Sequence, residues 1–138
     1  MKKTANQITL QPSEVQEPLV LDSNTLNAMI SELGAEVCHQ LLELFLVEQR
    51  ELRSKLVRAI KYKDLEEIAN ITHILKNSAE LYGAQTLAQF SCQLHNNQDC
   101  PLPWQIGIAE QIVALMDRTL EEYSEYASKL AVKPSGVR

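Results

Sequence analysis

From Ile71 to Ala84 the chain reads Ile-Thr-His-Ile-Leu-Lys-Asn-Ser-Ala-Glu-Leu-Tyr-Gly-Ala. Its chemistry rests on His73. Apolar or small residues fall at 65, 68, 72, 75, 79 and 82, alternating steps of three and four, which predicts one buried helical stripe. His73 lies one residue, about 100° of rotation, to the side of it. Lys76, Asn77 and Glu80 share its flank at i+3, i+4 and i+7. An ordinary histidine is mostly neutral near pH 7, so a ring nitrogen there can attack an electrophile. Lys76 stands where it can neutralise an anion formed on that nitrogen. Residue type alone leaves a second reading open, a histidine that is merely exposed on a helix flank.

Other chemistries find less support. No carboxylate sits four residues before or after His73, and His39 and His95 are too distant in sequence for a helical metal pair, so no metal site is expected. The four glycines, at 34, 83, 107 and 136, form no phosphate loop, so no ATP site is expected. Neither a nucleophile elbow nor a spacing typical of a cysteine–histidine pair occurs. A self-contained enzyme, including one hydrolysing small phosphoesters, is therefore disfavoured. Any phosphoryl group on His73 has to come from another protein.

The elements that must position His73 read as helices. Asp22 or Ser23 caps a short first helix to Leu33, which Gly34 ends. A long helix follows from Ala35 to Tyr62, with Val37, Leu41, Leu44/Phe45, Leu52, Leu56 and Ala59/Ile60 as its apolar positions. The charges from Glu48 to Arg58 form its solvated face. Asp64 and Glu67 make a capping-box pattern before the helix that carries His73. Gly83 turns the chain into a fourth helix, Ala84 to Asn96, with Leu87, Phe90, Ser91 and Leu94 inward. After a loop from Asn96 to Leu102, Pro103 opens a last helix to Leu130. Short connections make neighbouring helices antiparallel. The expected fold is all-α, an up-and-down antiparallel four-helix bundle with a short additional N-terminal helix. Residues 1–20 read as a flexible tail, 21–131 as the bundle and 132–138 as a second tail.

Composition agrees. Of 138 residues, 45% are hydrophobic but only 5% aromatic, which suits one domain with an aliphatic helical core. The net charge of −5 argues against binding nucleic acid or an anionic membrane. Cys38, Cys92 and Cys100 are odd in number and contain no CxxC pair, so they read as reduced thiols. Met1-Lys2-Lys3 is not followed by an apolar segment, and Leu41–Val47 is too short to span a bilayer. The expectation is a cytoplasmic protein.

The pattern His-x-Leu-Lys-x-Ser-Ala, then Gly-Ala-x-x-Leu, resembles the histidine phosphotransfer (HPt) domains of multistep two-component phosphorelays. The resemblance runs from about Leu21 to Gln98. It includes Leu21-Asp22, Leu33-Gly34, Leu41-Leu42-x-x-Phe45, Ala59, Asp64, His73, Leu75-Lys76, Ser78-Ala79, Gly83-Ala84, Leu87 and Cys92-Gln93-Leu94. It implies that His73 is the phosphoacceptor, with Nε2 attacking a receiver aspartyl phosphate, and that Lys76 offsets phosphoryl charge. It implies no cofactor in this chain, since Mg²⁺ would belong to the receiver. The implied partners are response-regulator receiver domains and a hybrid histidine kinase, and the implied state is a monomer without kinase activity.

Two positions depart from the family. Asn77 stands where a glycine usually lets the receiver approach. His95 stands where Gln or Glu often bonds the Nδ1 edge of the phosphoacceptor, and a neutral His95 is expected to accept that bond. Ser78 has at most a minor polar role, and Gly83 is structural. Two alternatives stay open. The chain is an HPt module cut from a hybrid sensor kinase, which the Met1-Lys2-Lys3 start speaks against, or a helical adaptor that kept the fold and lost the transfer.

Overall fold

A computed structural model describes residues 20–135, with side chains as far as 131. The elements are α1 (Ser23–Leu33), α2 (Ala35–Lys61), α3 (Leu65–Leu81), α4 (Gln85–His95) and α5 (Leu102–Ser135), with no strand among the described residues. α2 packs against α3 and α5, and α4 packs against the same two, so α2 and α4 stand on one diagonal of the bundle. α1 lies on α2. None of the helices is long and apolar enough to cross a membrane.

α3 forms as its spacing predicts. Ile68, Thr72, Leu75 and Ala79 are buried, and Ile71 joins them. The Asp64 side chain accepts a hydrogen bond from the Glu67 N–H at 3.1 Å. The reciprocal half of the capping box is missing, because the Asp64 N–H donates to the Ala59 carbonyl at 2.8 Å and needs no help from Glu67. Glu66 and Glu67 place negative charge on the first turn, where the helix dipole favours it.

α2 departs from its expected stripe in its first half. Val37 and Leu44 are exposed, and Cys38, Leu42, Phe45, Leu46 and Gln49 are buried instead. Apolar residues occupy two sides of this half. The side that packs is the one continuous with Leu52, Leu56 and Ala59, and that continuity runs through the fully buried Gln49.

The ends of elements differ in smaller ways. Asp22 is the cap of α1, accepting from the Asn24 N–H at 3.0 Å. Gly34 ends α1 at φ 91° and ψ 156°, outside the left-handed helical well, because its carbonyl already accepts the Cys38 N–H of α2. Val20, assigned to the tail, is buried in the core. The rest of that tail, 1–19, lies outside the described residues. α5 starts one residue early and continues to Ser135, past the expected end at Leu130.

Three elements converge on the turn that ends α3. Gly83 has φ +84°, and a Cβ built there would lie 2.9 Å from the Thr25 Cβ and 3.2 Å from the Asp22 carbonyl. The Asp22 N–H donates to the Gly83 carbonyl at 3.0 Å, and Gln85 Nε2 donates to the Asp22 carboxylate at 3.0 Å. The Tyr123 hydroxyl of α5 donates to the Tyr82 carbonyl at 2.8 Å. Burial, reinforced by the charges of Asp22 and Glu122, drives the Tyr123 phenol well above its ordinary range, so it remains a donor.

Gly83→Ala should therefore destabilise the bundle by about 2 kcal/mol, from the positive φ and the lost clearance together. Tyr123→Phe should cost about 1 kcal/mol by leaving the Tyr82 carbonyl unpaired. Urea unfolding followed by helical circular dichroism measures both.

Candidate functional site

His73 is exposed, and the residue before it, Thr72, is fully buried with its hydroxyl donating to the Ala69 carbonyl at 3.1 Å. The imidazole stands in a shallow depression between α3 and the end of α4, lined by Asn70, Ile74, His95 and Gln98. His95 is the last residue of α4, and its ring faces His73 with centroids 5.0 Å apart and planes at 43°. The contact is between ring surfaces rather than through a hydrogen bond.

A line of polar contacts holds His95 from behind. Gln98 Nε2 donates to the His95 carbonyl at 2.8 Å and lies 3.4 Å from His95 Nδ1. The Gln98 carbonyl in turn accepts from Gln105 Nε2 at 2.9 Å, and the same nitrogen donates to the Cys100 carbonyl at 2.7 Å. Gln105 is buried near the start of α5. The exposed His73 ring and the half-buried His95 ring are thus tied through one loop to the core.

Lys76 is partly buried and lies in the next depression between α3 and α4, with Asn77, Glu80, Gln85 and Gln89. Among the described residues it forms no ion pair. Its charge is free to meet an anion at His73, one helical turn away. Asn77 is exposed and borders this depression and a second one between α2 and α3. Ser78 points into the second, where its hydroxyl donates to Glu48 Oε1 at 2.6 Å. It therefore bonds across to α2 and not back to its own turn. Glu48 also adds to the effect of burial in raising the Tyr82 phenol. Gly83 lies at the far end of α3 and acts through the turn.

His73, Lys76, Asn77 and Ser78 are thus close together on α3, with His95 beside them. Glu48, Gln98 and Gln105 were not foreseen. Glu48 belongs to a run of charges that reads as a solvated face, and Gln105 is a polar residue within the last helix that nothing in the sequence singles out. No group of three or more His, Cys, Asp or Glu able to hold a metal occurs among the described residues. The three cysteines are free thiols.

Comparison with known proteins gives one consistent answer. Residues 40–125 match the family model described as the Hpt domain. The chain is 27% identical over 112 residues to the phosphorelay protein LuxU of Vibrio vulnificus strain YJ016, covering 79% of this chain and 93% of that protein. It is 26% identical over 106 residues to LuxU of Vibrio cholerae, covering 76% and 94%. The crystal structure of histidine-containing phosphotransfer protein B (HptB) from Pseudomonas aeruginosa PAO1 superposes with a TM-score of 0.64 at 19% identity, covering 83% of this chain and 98% of that one.

The ring contact has a direct spectroscopic consequence. His95→Ala should free the His73 ring to rotate and shift its signals in long-range ¹H–¹⁵N spectra. Identical His73 spectra in the variant would show that His95 does not position it.

Proposed function

Because the chain belongs to the Hpt domain family, we propose that it relays phosphoryl groups on His73 between receiver domains of a two-component phosphorelay. The observation that carries this is the exposed His73 ring, held against His95 and one turn from the unpaired Lys76. The His73 Nε2 lone pair attacks the phosphorus of a receiver aspartyl phosphate. The N–P bond forms as the P–O bond to the aspartate breaks, and the carboxylate leaves with the bonding electrons. Transfer to a second receiver is the same step reversed.

What this chain supplies is position and charge. α3 fixes the Cβ of His73, His95 limits rotation of its ring, and Lys76 stabilises the equatorial oxygens of the transferring group. Mg²⁺ enters with the receiver's acidic pocket. The chain needs no ATP, and we read it as a cytoplasmic monomer that serves a hybrid histidine kinase and response regulators. The adaptor alternative requires His73 to be idle, and the free cation beside the ring speaks against that.

Incubation with Mg²⁺-loaded, phosphorylated receiver domains should place an acid-labile, base-stable label on the wild type and none on His73→Ala. Lys76→Ala should keep the label but slow its appearance by about 10- to 100-fold, the loss of one charge-assisted contact in the transition state. A folded wild type that no receiver labels would favour the adaptor.

A further inference from the structure

The second depression beside His73 has an unusual lining. Leu44 of α2 is 65% exposed and Leu81 of α3 is 66% exposed, and both flank one groove floored by Phe45 and Tyr82. Water-facing leucines of this size, paired across a groove, form a patch that a partner can cover. Glu48 stands on the rim, and the Ser78 hydroxyl fixes its Oε1 at 2.6 Å. The bond leaves the carboxylate its charge and its second oxygen, and it removes rotamers that an unbound glutamate would have to lose on docking.

The groove begins one helical turn from His73. Asn77, one turn after His73, forms part of its edge. Leu81 is eight residues beyond His73, a rise of about 12 Å. A transient protein contact burying roughly 600 Å² per partner covers a disc of about 14 Å radius. A receiver that reaches His73 and lies toward α2 therefore covers this groove. The depression on the α4 side mixes Ala88 and Cys92 with Lys76, Glu80, Gln85 and Gln89 and has no pair of exposed leucines.

We propose that Glu48, held by Ser78, selects the receiver: the accepted partner inserts an apolar side chain between Leu44 and Leu81 and sets a lysine or arginine against Glu48. This rests on the phosphotransfer reading above and adds the chemistry of the partner. A receiver with an acidic residue at that point meets a fixed like charge and is rejected.

The test compares wild type, Glu48→Gln and Glu48→Lys with two donors. One is the phosphorylated receiver that labels the wild type fastest, and the other is phosphoramidate, a small donor that needs no docking surface. With the receiver, Glu48→Lys should raise KM at least tenfold with little change in maximal rate, and Glu48→Gln, which can still accept from Ser78, should fall between. Labelling by phosphoramidate should be equal in all three. Reversing the facing basic residue on the receiver should restore Glu48→Lys.

An unchanged KM in Glu48→Lys would overturn the proposal. So would methyl spectra of the isolated protein showing Leu44 and Leu81 already covered, by a second copy or by residues 1–19. Wild type labelled by neither donor would instead fail the phosphotransfer reading, and this inference with it.

Discussion

Thr72 is fully buried and His73, its neighbour, is exposed. That one-residue boundary is the constraint on which the site depends. A helix turns about 100° per residue, so burying the stripe of Ile68, Thr72, Leu75 and Ala79 determines where the imidazole points. α3 cannot rotate to hide His73 without bringing several core side chains into water, each worth about 1.5–3 kcal/mol. The hydrophobic effect thus holds an exposed imidazole in place without touching it.

The ends of α3 fix its axial position. Asp64 caps the start, and at the finish the Gly83 turn is gripped by Thr25 of α1 and its cap Asp22 and reached by Tyr123 from α5. α1, though outside the four-helix square, therefore acts on the helix that carries His73. The second ring of the site is held separately, through Gln105, Gln98 and the last residue of α4. Backbone placement and ring orientation come from different parts of the chain.

Much of this was legible in the sequence. The period of α3, the stops at Gly34 and Gly83 and the short connections suffice for an all-helical bundle with His73 on a flank. The first half of α2 was misread because it carries apolar residues on two sides and its packed side runs through a glutamine. Val37 and Leu44, expected inside, are outside for that reason, and the exposed Leu44 now borders the groove next to the site. Glu48 was hidden in a run of charges, since only the pairing of α2 with α3 brings it to Ser78. His95 was foreseen beside His73, but as a hydrogen-bond acceptor. Gln98 takes the Nδ1 side of its ring, and His95 meets His73 as a tilted ring with centroids 5.0 Å apart.

The decisive measurement is the location of the phosphoryl group. The protein would be phosphorylated by a receiver domain, then examined by fragmentation mass spectrometry under neutral conditions and by ³¹P–¹⁵N correlation. A single phosphoryl group is expected, on Nε2 of His73. A phosphoryl group on His95, on Nδ1 of His73 or on a carboxylate would contradict it.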